Sequence, residues 1–296
     1  MKSIIELLTN IMLTKSFSIG PVVLISFDVE SPIDSFSDDI LSAKIIGSKN
    51  RIGLKRIIET SEVYDVPFTF FSTGHALLKE CKGHKLKVKI VRENKKYGFR
   101  IGEYYWHSID PASNYVEYPE FYYGDLIDEI VKSGMKHEVA SHSFSHIPYV
   151  LVNDGMIFKD LSMSVEAVSS HNLKLYSFAF PYNLTGKFYL LPKFGIKVYR
   201  VGHRTIHPYI SLRDNVLIVK THITDLSMDS LVLWFKIIDL LTKRKSLLSW
   251  YLHPITLYDE NAFKLFKEII NHLKCKGIHF LTFKDLYYTF VEEINE

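Results

Sequence analysis

The sequence predicts an α/β fold arranged as a closed (β/α) barrel. Short runs of β-branched and aromatic residues alternate along the chain with stretches that have the periodicity of amphipathic helices. Such repetition gives parallel strands with right-handed crossovers, and seven or eight units suit a closed barrel. Gly134, Gly195 and Gly277 each stand between a helical stretch and the next apolar run, where a left-handed helix cap is expected. An open doubly wound sheet is the alternative.

Eight strands are predicted, at residues 21–27, 67–72, 137–141, 175–180, 196–200, 216–220, 248–253 and 278–282. Amphipathic periodicity predicts helices between them at 51–64, 123–133, 159–171, 230–243 and 262–276. Residues 82–122 interrupt this alternation and are too long for an ordinary connection, so we expect an inserted loop region beside the functional site. Residues 1–18 predict an N-terminal helix, with a cleaved leader as the alternative.

The composition argues against several functional classes. With 36 basic and 33 acidic residues the net charge is +3, which gives no case for a nucleic-acid binder. The two cysteines, Cys81 and Cys275, exclude a disulfide scaffold and a cluster of thiolates, and they fit a reducing compartment. No run of about 18 uncharged apolar residues exists, so we expect no stable membrane insertion. A cytoplasmic protein is therefore expected.

Polar side chains stand where several predicted strands end. Asp28 and Glu30 follow the first strand, His142 and His146 follow the third, and His253 closes the seventh. The carboxyl ends of parallel barrel strands meet at one face, where active sites are built. Taken singly, the histidine pair could be two surface residues, and the carboxylates could cap the next segment. Their shared face instead favours a site in which the histidines bind a metal.

Six segments, in order along the chain, resemble the motifs of the polysaccharide deacetylase family, which is also called the NodB-homology family. They are SFDVE at 26–30, VPFTFFSTGHAL at 66–77, KHEVASHSFSH at 136–146, FAFPYN at 178–183, WYLHP at 250–254 and HFLTFKDL at 279–286. The segment at 136–146 is the most specific of them. The resemblance implies a single domain over residues 1–296, folded as an irregular (β/α) barrel of about seven parallel strands.

The resemblance also implies roles for individual residues. Glu30, His142 and His146 would bind a divalent metal, with Zn²⁺ favoured over Co²⁺, Ni²⁺ or Mn²⁺. Asp28 would be the catalytic base and His253 the general acid. Such a metal polarises a carbonyl and activates water, while the acid protonates the leaving amine.

Four further residues are expected to contact the substrate. The main-chain N–H of Tyr182 would help to hold the oxyanion, Leu252 would lie beside the acyl methyl, and Asn183 replaces the last glycine of its motif. Arg200 ends a strand at the same face, where a site role competes with a structural ion pair. The family's third motif usually carries an arginine that orients the base, and Ala179 stands in its place.

The expected function is a metal-dependent hydrolase that removes an N-acyl group, acetyl or formyl, from an amino sugar of a glycan or glycan precursor. One alternative is a hydrolase of non-peptide C–N bonds in small cyclic amides or ureides. Another, from a different class, is a catalytically silent carbohydrate-binding protein. The sequence leaves the sugar, the acyl group and the oligomeric state open.

Overall fold

The computed structural model describes residues 16–34, 39–83, 89–92, 99–102, 109–202, 210–224 and 231–295. The N-terminal helix predicted for 1–18 lies outside these ranges except for its last three residues, which are not helical. Much of the inserted region predicted at 82–122 also lies outside them. Among the residues described, no helix combines the length and the apolar character needed to cross a membrane.

The elements alternate as predicted. The strands are β1 (Val22–Val29), β2 (Thr69–Ser72), β3 (Lys89–Arg92), β4 (Phe99–Gly102), β5 (Glu138–Ser141), β6 (Ser177–Ala179), β7 (Val198–Val201), β8 (Ile210–Arg213), β9 (Val216–Lys220), β10 (Ile223–Thr224), β11 (Leu247–Leu252) and β12 (His279–Phe280). The helices are α1 (Ile40–Tyr64), α2 (Gly124–Lys132), α3 (Asp154–Ser169), α4 (Leu231–Arg244), α5 (Glu260–Cys275) and α6 (Phe283–Asn295). All eight predicted strands and five predicted helices are present, with shifted ends.

The strands form one curled sheet in the order β10-β11-β1-β2-β5-β6-β7-β9-β8, with β12 also paired to β1. Seven successive strands, from β11 to β9, pair in parallel, which confirms the predicted α/β fold. In the part of the chain that the structure describes, no strand links β10 to β8, so the sheet is a half-barrel. Parallel pairing brings the carboxyl ends of these strands to one edge.

The strands that the sequence analysis did not predict are peripheral. Strand β8 runs antiparallel along β9, and the turn between them has positive φ at Asp214 (51°) and Asn215 (60°). Two successive residues in this conformation are typical of a tight hairpin, a local signal that the helical and strand periodicities do not carry. A second antiparallel hairpin, β3–β4, lies within the region predicted as an insertion.

The core packs on both faces of the sheet. All eight residues of β1 are buried, as expected for a central parallel strand covered on two sides. One apolar cluster contains Trp234 of α4, Trp250 of β11 and Phe266 of α5. The predicted left-handed caps are confirmed, with φ of 76°, 79° and 67° at Gly134, Gly195 and Gly277. A rigid sheet thus supports the loops at its carboxyl edge.

Candidate active site

Five residues that the sequence placed in one site do lie together at the carboxyl edge of the sheet. They are Asp28, Glu30, His142, His146 and His253, which end or follow strands β1, β5 and β11. These strands lie within the run β11-β1-β2-β5, so their carboxyl ends point to one face. Asp28, His142 and His146 are buried, and the other two are partly buried.

Glu30, His142 and His146 form a compact triangle of potential metal ligands. The Nε2 atom of His146 lies 3.2 Å from Oε1 of Glu30 and 3.2 Å from Nε2 of His142. The third side, from His142 Nε2 to Glu30 Oε1, is 3.6 Å. A tetrahedral ion with bonds of about 2.0–2.2 Å sets its ligand atoms roughly 3.4 Å apart. The triangle therefore has the size that such an ion requires.

A neighbouring strand fixes the orientation of the His142 ring. Its Nδ1 lies 2.8 Å from the carbonyl oxygen of Ala179 in β6. A carbonyl oxygen only accepts hydrogen bonds, so Nδ1 carries a proton and Nε2 is the nitrogen turned towards Glu30 and His146. A carbonyl partner on the second nitrogen is the usual support of a metal-binding histidine. The donor set, two imidazoles and one carboxylate, therefore fits a divalent cation such as Zn²⁺.

Asp160 of α3 holds the loop that carries the two histidines. Its carboxylate is fully buried and accepts hydrogen bonds from the N–H groups of Phe144 (2.9 Å) and Ser145 (3.0 Å). It also accepts from the hydroxyls of Ser145 (2.5 Å) and Tyr149 (2.9 Å). These four bonds fix a loop that brings His146 back towards the site with a positive φ of 53°. Asp160 therefore preorganises the ligand triangle without touching it.

The charge of Glu30 suits a ligand. Burial by itself would raise the pKa of Glu30, but the charge of His146 and hydrogen bonds with His142, His146 and His253 outweigh burial and hold the pKa well below its usual value. Glu30 is therefore ionised at neutral pH. Asp34, four residues further on, differs because burial raises its pKa to about 7.

Asp28 is paired with Arg200 inside the barrel. The Nη2 atom of Arg200 lies 2.5 Å from Oδ2 of Asp28, and Nη1 donates to the Ser26 hydroxyl at 3.1 Å. The guanidinium also lies over the rings of Tyr251 and Phe71, 4.1 Å and 4.8 Å from their centroids. Oδ1 of Asp28 is buried without a protein partner. One carboxylate oxygen is thus fixed while the other is left for chemistry.

This arginine comes from a different strand than the family motif suggests. Arg200 of β7 stands directly opposite Ala179 of β6 in the parallel ladder, so its guanidinium enters from the neighbouring strand. Only 1% of its side chain is exposed. The sequence analysis grouped Arg200 with the substrate-binding residues, whereas the structure buries it against Asp28. This is the ion pair that the sequence analysis gave as the alternative, and its position suits orientation of the Asp28 carboxylate.

His253 reaches the site from the end of β11, the strand next to β1. Its Nε2 lies 3.6 Å from Oε1 of Glu30, and 33% of its side chain is exposed, so a ligand can approach it. The short helix Pro254–Tyr258 follows at once and packs on α1. A Cβ at Gly53 of α1 would lie 1.8 Å from the carbonyl oxygen of Pro254, so only glycine permits this approach. The close packing fixes where the chain leaves His253.

The remaining predicted residues surround this centre. Tyr182 has a positive φ of 57°, and its ring lies 4.4 Å from that of His146, measured between centroids. The side-chain amide of Asn183 donates to the Tyr251 hydroxyl at 2.9 Å. Leu252 is fully buried in the apolar core, and its contact with an acyl group stays a prediction. The strained backbone at Tyr182 is typical of functional sites.

Comparison with known proteins agrees with the motifs. The family model described as polysaccharide deacetylase matches residues 21–187. The chain belongs to the polysaccharide deacetylase family. This confirms the resemblance seen in the sequence, although no curated protein sequence matches this family member.

Solved structures show that this polysaccharide deacetylase family member shares its fold widely. It is similar to a protein from Mycobacterium smegmatis assigned to the polysaccharide deacetylases, with a TM-score of 0.63, 14% identity and coverage of 95% of this chain and 94% of that one. A protein from Pseudomonas aeruginosa PAO1 with the same assignment has a TM-score of 0.60, 12% identity and coverage of 92% and 91%. PuuE allantoinase has a TM-score of 0.56, 12% identity and coverage of 91% and 89%.

Two features of the site in this deacetylase-family protein could not be read from local sequence patterns. The Asp28–Arg200 pair joins residues 172 positions apart, which no local pattern reveals. Asp160 stands on the buried face of an amphipathic helix. A single acidic residue among apolar positions indicates a buried carboxylate, but it does not tell which groups the carboxylate binds. Such a residue needs hydrogen-bond partners when it is buried, and here it takes them from the histidine loop.

Proposed function

We propose that this chain is a metal-dependent hydrolase that removes an N-acyl group, acetyl or formyl, from an amino sugar of a glycan or glycan precursor. The observation that carries the proposal is the ligand triangle of Glu30, His142 and His146, with Asp28 and His253 both within 4 Å of it. Membership of the polysaccharide deacetylase family supports the same chemistry.

Glu30, His142 and His146 would hold the metal, with Zn²⁺ favoured. When bound there, a divalent ion would supply Lewis-acid polarisation of the amide carbonyl and a lowered pKa for water, to about 7 in known zinc enzymes. These three residues come from two segments that the sheet and Asp160 hold rigidly. The site therefore needs little rearrangement to bind the ion.

Asp28 would act as the general base through Oδ1, because Arg200 occupies Oδ2. It would take a proton from the attacking water, a contribution worth about 10²–10⁴ in rate. His253 would give a proton to the leaving nitrogen, since an amine leaves poorly without one. The main-chain N–H of Tyr182 would donate to the oxyanion, a type of donor worth roughly 10²–10³. In this assignment the base and the acid would act on opposite sides of the scissile amide.

Two alternatives predict different results. A hydrolase of cyclic amides or ureides would use the same centre, and the likeness to PuuE allantoinase, at 12% identity, shows the fold alone. A silent carbohydrate-binding protein has no need of the complete set of acid, base and ligands. The cytoplasmic location stays a prediction; if it holds, a nucleotide- or lipid-linked precursor is the favoured substrate.

The test combines metal analysis with a mass-based screen of N-acetylated and N-formylated amino sugars and of cyclic amides. We expect metal in the purified protein and loss of an acyl group from at least one amino sugar. In Asp28→Asn turnover should be abolished while the metal stays, whereas Glu30→Gln should lose the metal. Loss of metal in Asp28→Asn would show that the two roles are exchanged. If the protein binds metal but hydrolyses only cyclic amides, the alternative of a cyclic-amide or ureide hydrolase would be favoured.

A further inference from the structure

A second group of potential metal ligands lies outside the candidate active site. His75, Cys81 and Asp110, here named the His75 cluster, each present one ligand atom, and these atoms lie within 4.8 Å of one another. The side chains of His75 and Asp110 are 0% and 1% exposed, and Cys81 is also buried. Three residue types that bind transition metals thus meet in a place closed to solvent.

Hydrogen bonds orient the His75 ring as a ligand. Its Nδ1 lies 3.3 Å from the hydroxyl of Ser31, which donates its single hydrogen to the carbonyl oxygen of Phe121 at 3.2 Å. When the hydroxyl donates to Phe121, it accepts from Nδ1–H and leaves Nε2 as the ligand atom. Nε2 then faces Asp110, with its Oδ2 at a distance of 3.1 Å. Either a shared proton or a cation must lie between that nitrogen and the carboxylate.

The carboxylate is held in the same way. Oδ1 of Asp110 accepts from the hydroxyl of Tyr122 and from the N–H of Ala112, the latter at 3.2 Å, so Oδ2 is the atom turned towards His75. The Cys81 backbone is fixed by a hydrogen bond from its N–H to the carbonyl oxygen of Ser113 at 2.7 Å. Outer hydrogen bonds on both a histidine and a carboxylate are typical of metal centres.

We propose that His75, Cys81 and Asp110 form a second metal site, which takes Zn²⁺ through one nitrogen, one thiolate and one carboxylate oxygen. Each of these donors is an ordinary zinc ligand. Binding forms the bond to sulfur as the Cys81 thiol loses its proton to solvent, and any proton on Nε2 leaves in the same way. The proposal is independent of the proposed function.

A proton shared by His75 and Asp110 is the competing explanation. In that arrangement the Cys81 thiol also donates to the Asp110 carboxylate, so the three side chains form a hydrogen-bond network without an ion. Burial, and then the Asp110 carboxylate, raises the pKa of the Cys81 thiol to about 12, so the thiol keeps its proton unless a cation replaces it. A bound zinc ion would remove that penalty because it neutralises the carboxylate and the thiolate together.

The position of the His75 cluster suggests what the ion would do. His75 follows β2 of the main sheet, whereas Cys81 and Asp110 stand just before and just after the segment that carries the β3–β4 hairpin. An ion shared by the three would fasten both ends of that segment to the barrel. Ser31, which touches the His75 ring, directly follows Glu30, so this anchor would lie beside the candidate active site.

Cobalt substitution tests the proposal on the full chain. Co²⁺ bound by a thiolate gives a near-ultraviolet charge-transfer band, and the candidate active site contains no cysteine that could produce it. We expect the band in the wild-type protein with Co²⁺ and in Cys275→Ser, which replaces an exposed cysteine, but not in Cys81→Ser. Absence of the band from the wild type would overturn the proposal. So would its persistence in Cys81→Ser.

Zinc stoichiometry gives a second measurement. A variant with His142→Ala and His146→Ala should still retain about one Zn²⁺ per chain after desalting, and adding Cys81→Ser should lower its zinc affinity at least ~10²-fold. Tyr122→Phe, which removes an outer hydrogen bond only, should weaken zinc binding by about 10-fold. Zinc binding unaffected by both changes would refute the site. Wild-type cobalt spectra decide the matter even where a variant fails to fold.

Discussion

Replacing Arg200 with methionine should destabilise the protein and slow the reaction, because it leaves the Asp28 carboxylate buried without its counter-charge. The two side chains are 1% and 4% exposed and meet at 2.5 Å. Breaking a buried pair by removing one partner typically lowers the free energy of unfolding by about 3–5 kcal/mol. The lost contacts of the guanidinium with Tyr251 and Phe71 act in the same direction.

The kinetic effect should fall on kcat. Arg200 fixes Oδ2 of Asp28, and a misplacement of the base by about 1 Å can reduce the rate ~10²-fold. Because the guanidinium is buried, we expect no direct contact with the substrate and little change in KM. Arg200→Lys keeps the charge, but a lysine lacks the planar guanidinium that bonds Asp28 and Ser26 at once. Relative to Arg200→Met, we expect the lysine variant to regain more of the stability than of kcat. The assay is acyl release from the substrate identified in the screen, expressed per folded molecule.

A double-mutant cycle with Asp28→Asn supplies the control. In that background no buried charge is left unpaired, so Arg200→Met should cost less stability, by about 2 kcal/mol or more. Urea unfolding of the four proteins gives the coupling. Two results would refute the reasoning: an unchanged kcat in Arg200→Met, or an equal loss of stability in both backgrounds.

Three further predictions concern other parts of the fold. His253→Ala should lower kcat by at least ~10² with little change in KM, since its proton passes only in the transition state; preserved turnover per folded molecule would exclude it as the acid. Asp160→Ala should lower the free energy of unfolding by about 3 kcal/mol or more and weaken metal binding, because four buried donors lose their acceptor. The control is Asp154→Ala, which removes an exposed carboxylate from the same helix. Equal effects of the two substitutions would contradict the role given to Asp160. Burial raises the pKa of Glu138 to about 7 from a usual value near 4.5, so its contribution to stability is complete below about pH 4.5 and declines as pH rises towards 7, by about 3 kcal/mol in total. Glu138→Gln keeps an acceptor for Thr69 and Lys284 but does not titrate. The difference in the free energy of unfolding between this variant and the wild type should therefore grow as pH rises from 5 to 8. A constant difference would show that Glu138 does not titrate in this range.

The candidate site could be anticipated to the extent that its residues follow strands. Glu30 and His253 are 223 positions apart, yet the rule that parallel strands end at one face predicted that both lie in one site. In the structure Nε2 of His253 lies 3.6 Å from Oε1 of Glu30. The spacing of His142 and His146 supported a metal but left surface histidines as an alternative. Only the structure shows that the Ala179 carbonyl orients the His142 ring so that its Nε2 faces the site.

The sequence by itself determined the order of strands and helices, the carboxyl-edge location of the site and the family. Periodicity and motifs are local, and the geometry of parallel pairing turns them into a shared face. Tertiary structure decided which groups meet across the barrel. Arg200 takes the place that Ala179 leaves open because β6 and β7 pair in a register that sets the two residues side by side. His75, Cys81 and Asp110 likewise lie on separate segments, and only packing brings their ligand atoms within reach of one ion.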